Sequence, residues 1–371
     1  MKYSGLFREC VEAIPPYVPG KPIEELEREL GLNGVIKMAS NENPLGPSQE
    51  VRQAVIQALE RVAQYPDANN FYLRDALAAE LGVPAEQLLI GNGLDDVNRI
   101  LAETLFNPGD EVIIPQPTFS QYEIVTRLMG AKPVFVKGDG YRHDLDAMVG
   151  AITDRTKMIF ICNPNNPTGT IISEAELVRF LRQVPERIPV VLDEAYADFA
   201  DDPAFPDGIR LLQNGFANLI VYHTFSKIHG MAGLRLGYAV AAPELIRQTW
   251  RIKDPFNVNL IAQAAGVAAL NSKRHIMLSK ELVQTGKRQF YEELDRLGVR
   301  YLPTQANFIL IDCGQDSRPV YDHLLHSGII VRMTHSFGLP HCLRVTFGTA
   351  EQNDRFFRAF REGFKRLEIT A

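Results

Sequence analysis

Residues 218–238 read NLIVYHTFSKIHGMAGLRLGY. The stretch opens as an apolar, strand-like run, Asn218 to Tyr222, and empties into a loop broken by Gly230 and Gly233. A new apolar run opens at Gly237. The loop carries Lys227 directly after Ser226, with Arg235 eight residues further on. A lysine amine at a strand end can form a Schiff base with a carbonyl once burial or a nearby cation lowers its pKa. The hydroxyl of Ser226 and the guanidinium of Arg235 are natural phosphate ligands. Together they point to an aldehyde cofactor that also carries a phosphate.

Outward from this loop the chain alternates. Short, almost wholly apolar runs lie at 87–90, 111–115, 132–137, 157–163, 188–192, 219–224 and 237–241. Stretches with helical spacing separate most of them, at 71–81, out of the turn 91–96 to about 106, 120–129, 144–152 and 173–183. Another helix is expected from Ser48, a good N-cap, to a stop at Tyr65-Pro66. The pattern predicts an α/β fold whose large domain holds a mostly parallel, seven-stranded sheet buried on both faces. Ligands of such sheets bind beyond the carboxyl ends of the strands.

From about Pro243 helices dominate, with a long one expected over 273–297. Strands follow at 300–302, 308–312, 329–332 and 343–347, then a closing helix after Thr349. This predicts a smaller α+β C-terminal domain. Residues 1–47, dense in Pro and Gly, read as mostly irregular, with no long regular element. The expected division is 1–45 as an N-terminal segment packing with the small domain, 46–272 as the large domain and 273–371 as the small one.

Composition narrows the function classes. The chain has 371 residues, 46% hydrophobic and 23% charged, as in ordinary globular proteins. A net charge of −6 with no basic tract argues against a nucleic-acid partner. No apolar run is long enough for a membrane span, and the N-terminus lacks a signal-peptide core. Four cysteines, Cys10, Cys162, Cys313 and Cys342, form no C-x-x-C pair, so neither a zinc site nor a disulfide framework is indicated. A cytoplasmic location is expected.

Other motifs sit at strand ends. Gly91-Asn-Gly-Leu-Asp95 opens a helix, and backbone N–H groups there make an anion site. Asn163-Pro-Asn-Asn-Pro-Thr-Gly169 is richer in asparagine than a tight turn needs, and Asn166 can direct its amide at a ligand oxygen. Asp193-Glu-Ala-Tyr196 follows an apolar strand. A carboxylate there needs a partner to offset desolvation, and a protonated pyridine nitrogen would serve. Tyr196 can donate to a ring oxygen, and Phe119 can stack on a ring. This is the set of groups that pyridoxal 5′-phosphate requires.

With these residues in hand, the chain resembles the fold-type I pyridoxal-phosphate-dependent aminotransferases over essentially its whole length. NPNNPTG, DEAY and SK followed by Arg235 and Gly237 carry the likeness, in the family's order and roughly at its separations. The resemblance implies that Lys227 is the Schiff-base lysine and that Asp193 pairs with the ring nitrogen. It implies that Asn166 and Tyr196 bind the ring oxygen and that Phe119 stacks. Ser226, Arg235 and the backbone of Gly93, Leu94 and Asp95 would hold the phosphate. Tyr65 matches a tyrosine that reaches the cofactor of the partner subunit, which implies a homodimer.

PPYVPGKP, NENPLGPS, DPFNVN and GLPHCLRVTFGT resemble the histidinol-phosphate aminotransferase subgroup. That likeness puts Tyr17 and Asn43 beside the substrate and makes Arg344 the ligand of its anionic group, with Arg332 as a second cation. Small-molecule substrates, histidinol phosphate and 2-oxoglutarate, follow from it. One departure is Leu94, where the subgroup often has a small residue, so any hydroxyl contact to phosphate is lost there. Aromatic amino-acid transamination, threonine-phosphate decarboxylation and a regulatory pyridoxal-phosphate-binding module are the alternatives on this scaffold.

Overall fold

The computed structural model describes residues 5–14, 16 and 20–370, with side chains up to residue 365. Seven strands form the main sheet. Their order is Leu88–Gly91, Gly237–Val240, Leu219–Thr224, Val190–Asp193, Thr156–Cys162, Glu111–Gln116 and Lys132–Lys137. Gly237–Val240 runs antiparallel to both neighbours and the other pairings are parallel. The exception has a local cause. The loop from Phe225 to Leu236 holds only a short 3₁₀ turn, Ala232–Leu234, so the chain reverses where a parallel return would need a full crossover.

Both parities of the strands are buried. Val190, Leu192, Leu219 and Val221 pack with Leu73, Leu77, Ala262 and Ala265 on one face. Val191, Ile220 and Tyr222 pack with Val97, Ile100 and Tyr122 on the other. Two covered faces explain why the runs are continuously apolar rather than alternating.

The smaller C-terminal domain carries a four-stranded antiparallel sheet, ordered Arg332–Met333, Cys342–Thr346, Phe308–Asp312, Arg300–Leu302. The helices Lys273–Leu297, Arg318–His326 and Ala350–Thr370 belong to it, and Phe290, Leu294, Val320, Phe356 and Phe360 form its core. Ile36–Lys37, from the N-terminal segment, pairs in parallel with Ile329–Ile330. No described helix is long and apolar enough to cross a membrane.

Three elements differ from expectation. Residues 23–30 form a helix inside the segment read as irregular. Pro22 lies just before it and Gly31 ends it at φ 64°, so the breakers flank the helix and Leu26 buries its apolar side against Val35 and Ile330. The helix capped by Ser48, whose hydroxyl accepts from the Val51 N–H at 3.1 Å, stops at Leu59, short of Tyr65. Residues 60–65 are exposed, and a helix with no face to bury has little to hold it. The single strand expected at 329–332 is two, because the chain leaves Ile36–Lys37 at Ile330 and joins Cys342–Thr346 at Arg332.

Candidate active site

The sequence motifs converge at the carboxyl ends of the central strands. They line a cleft of about 280 Å³ that includes Leu94, Asp95, Phe119, Asn166, Asp193, Tyr196, Ser226, Lys227, Arg235, Arg332 and Arg344. The Lys227 amine donates to the Ser40 carbonyl at 3.2 Å and lies 5.6 Å from the centre of the Tyr196 ring. Burial lowers its pKa to about 8, with the Arg344 and Arg235 guanidinium groups acting in the same direction.

Asp193 ends its strand only 4% exposed. Its carboxylate accepts from the Tyr122 hydroxyl at 2.6 Å and from the Ala195 N–H at 3.0 Å. Burial pushes this carboxyl above its ordinary range, and the two donors offset only part of that. A cationic N–H is what such a carboxylate accepts best. Tyr122 itself is stacked on Phe160 at 4.4 Å and meets Phe119 edge-on at 5.7 Å. One buried phenol therefore orients both the carboxylate and the proposed stacking ring.

Where the phosphate is expected, backbone and side chains approach closely. Gly93 sits at φ 85°, and a Cβ there would lie 2.7 Å from a guanidinium nitrogen of Arg235. A Cβ on Gly237 would lie 2.9 Å from the Leu94 amide nitrogen. The helix Leu94–Leu105 begins at this point, and the amides of its first turn lack helical partners. Arg235, held in the left-handed region at φ 56°, faces Asp95 at 3.2 Å.

On the opposite wall, Arg344 is 6% exposed and faces Arg332 across the antiparallel pair. Its guanidinium donates to the Asn166 side-chain oxygen and to the Ala39 carbonyl, which fixes the Asn166 amide. The Tyr196 hydroxyl accepts from Asn41 Nδ2 at 2.8 Å. A buried amine, a desolvated carboxylate, the Asn166 amide, the Tyr196 hydroxyl and the Arg235 guanidinium thus share one cleft. Their chemistry fits a phosphorylated pyridine aldehyde, and the two glycines keep open the approach that its phosphate requires.

Two expected residues lie away from this cleft: Asn43, and Tyr65, which is expected at the partner subunit's cofactor. Asn43 does not line the cleft: its amide donates to the Ile228 carbonyl at 2.9 Å and the Ser279 hydroxyl at 2.8 Å. Tyr65 is 81% exposed and stacks on Phe256 at 4.6 Å, away from the cleft of its own subunit. Tyr17 lies outside the described residues. Asn41 and Tyr122 escaped sequence reasoning. Asn41 opens the NENPLGPS motif, two residues before Asn43, whereas Tyr122 carries no signal beyond an aromatic on a helix. Strand pairing also gathers Asp312, His341 and Cys342, with ligand atoms within 4.8 Å of one another. Arg300 already pairs with Asp312 at 3.0 Å, and the Tyr141 hydroxyl lies 3.2 Å from His341 Nε2.

Residues 33–360 match the family described as aminotransferase class I and II. The histidinol-phosphate aminotransferase of Moorella thermoacetica is 53% identical over 355 residues, covering 96% of this chain and 92% of that one. That of Caldicellulosiruptor saccharolyticus is 45% identical, covering 96% and 99%. The crystal structure of histidinol-phosphate aminotransferase from Sinorhizobium meliloti in complex with pyridoxal-5′-phosphate superposes with a TM-score of 0.90 at 27% identity, covering 98% of each chain.

Proposed function

The chain belongs to the class I and II aminotransferases, and from that premise we propose that it is a pyridoxal-phosphate-dependent transaminase of L-histidinol phosphate. The reaction is L-histidinol phosphate + 2-oxoglutarate ⇌ 3-(imidazol-4-yl)-2-oxopropyl phosphate + L-glutamate, a step of L-histidine biosynthesis. The observation that carries the substrate is the pair Arg344 and Arg332, which face each other on the wall of the cleft that holds Lys227. Two guanidinium groups suit a phosphate dianion.

When bound, pyridoxal 5′-phosphate supplies an electron sink for the pair left as the substrate's α-C–H bond breaks. The protein's own residues do the rest. Lys227 Nζ, neutral in part near pH 8, takes the α-proton and holds it for return. Asp193 would keep the ring nitrogen protonated. Asn166 and Tyr196 would donate to the ring oxygen, and Phe119 would cover the ring. Ser226, Arg235 and the amides of Gly93, Leu94 and Asp95 would hold the phosphate. Arg344 and Arg332 hold the substrate's anion and so orient its α-carbon toward the lysine.

The test is kcat/KM with 2-oxoglutarate as acceptor, comparing histidinol phosphate with phenylalanine. A charge-assisted hydrogen bond is worth about 1.5–3 kcal/mol, so a preference of on the order of 10²-fold or more is expected. Comparable values would move the enzyme to aromatic amino acids and strip Arg332 of its role. Release of carbon dioxide would identify a decarboxylase.

The enzyme is read as a cytoplasmic homodimer, with residues 46–272 as the cofactor-binding unit and 1–45 joining 273–371. Support for the dimer is Tyr65, 81% exposed and stacked on the exposed Phe256, with Val62, Phe71 and Tyr72 exposed within seven residues of it in the chain, apolar groups of the kind that partners cover. Light scattering of the active protein should give twice 41.6 kDa, and Tyr65→Ala should weaken cofactor binding about tenfold. A fully active species at the monomer mass would defeat this arrangement.

A further inference from the structure

We infer that Asn41 is a positioning residue that sets the direction in which the Tyr196 hydroxyl gives its proton. The inference rests on reading the cleft as a pyridoxal-phosphate site and adds a residue to it.

Asn41 is 1% exposed and sits at φ 55°. Gly, Asn and Asp are the residues that adopt this left-handed conformation readily. Its backbone N–H donates to the Thr346 hydroxyl at 2.9 Å, and its carbonyl accepts from Asn307 Nδ2 at 3.0 Å. The Thr346 hydroxyl in turn donates to Asn41 Oδ1 at 3.2 Å. With its oxygen engaged there, the amide turns its NH₂ toward Tyr196, 2.8 Å away.

A phenol has one proton to give, and its oxygen also accepts. Once that oxygen accepts from Asn41, its own proton cannot go back along the same line. It is left for an acceptor in the cleft, where the cofactor's ring oxygen would stand. Charged and titratable groups also face Tyr196. Arg344 comes from the strand Cys342–Thr346, Lys227 from the loop after Leu219–Thr224, and Asp193 and Cys162 from neighbouring strand ends. All of these act through charge or ionisation. Asn41 is neutral, so its effect is directional.

Two variants keep the backbone and separate direction from shape. Asn41→Gly tolerates φ 55° and deletes the amide, whereas Asn41→Asp keeps the shape and replaces the donor with an acceptor that competes for the tyrosine proton. The readout is the pH midpoint of the visible absorption band of the cofactor-loaded protein, followed alongside the cofactor dissociation constant and kcat. A donor to the ring oxygen favours its anionic form, so losing that donor raises the midpoint. The expected rise is about half a unit in Asn41→Gly, the scale of one hydrogen bond, and more in Asn41→Asp. In a Tyr196→Phe background the Asn41→Gly step should shift nothing. If Asn41→Gly does not fold, Thr346→Val, which frees the amide to turn, is read in the same way.

An unmoved midpoint in Asn41→Gly, a shift confined to Asn41→Asp, or equal shifts with and without the Tyr196 hydroxyl each overturn the inference. The cofactor reading survives those results. A wild-type protein that develops no visible band with pyridoxal phosphate overturns both.

Discussion

Lys227→Ala should lose turnover by on the order of 10⁴-fold or more while the protein still binds pyridoxal phosphate. General base catalysis alone contributes about 10²–10⁴-fold, and the same side chain also supplies the amine that captures the aldehyde. Binding should persist because the cup around Gly93 and Arg235, the Asp193 carboxylate and the Phe119 ring do not depend on the lysine. The spectrum should report non-covalent cofactor, and turnover near the wild-type rate would remove Lys227 from the chemistry.

The sign of the pH effect follows from the surroundings of the amine. Burial, Arg344 and Arg235 lower its pKa to about 8 from 10.5. The neutral, reactive form therefore grows roughly tenfold per pH unit below 8 and saturates above it. The rate at which cofactor-free protein takes up pyridoxal phosphate should level off near pH 8. A rate still climbing at pH 10 would mean that the amine is solvated like a surface lysine.

The parts of this site that were legible in the sequence share one feature. Asn166, Asp193, Ser226 and Lys227 all follow apolar runs, and a polar residue at the end of a buried strand stands out against its background. The strands were legible because burial on both faces makes them continuously apolar. What was not legible depends on contacts made at a distance. Asn41 reaches Tyr196 across 155 residues, and Tyr122 reaches Asp193 across 71. Nothing local marks Tyr122, and nothing local sets Asn41 apart within its motif. The resemblance picks Asn43 from this motif, yet Asn41, in its turn at φ 55°, bonds Tyr196 while Asn43 binds Ser279. The split of 329–332 likewise follows from its two different partners rather than from its own residues.

Arg344→Gln should lower kcat/KM for histidinol phosphate by about 10³-fold, and Arg332→Gln by about tenfold. The difference comes from burial. Arg344 is 6% exposed and Arg332 is half-buried. Truncating one partner of a buried, hydrogen-bonded charge pair costs about 2–5 kcal/mol, whereas a solvated pair is worth about 1 kcal/mol or less. Arg344 also holds the Asn166 oxygen, so its loss should release the residue proposed to bind the ring oxygen and lower kcat as well as raise KM. Arg332 is more exposed and lies at the rim of the wall, so its loss should appear mainly in KM. Histidinol, which lacks the phosphate, separates the two roles. If the arginines act on the substrate's phosphate, Arg332→Gln should leave the already poor kcat/KM for histidinol unchanged. A tenfold loss with histidinol as well would make Arg332 a structural support, and the phosphate would then belong to Arg344 alone.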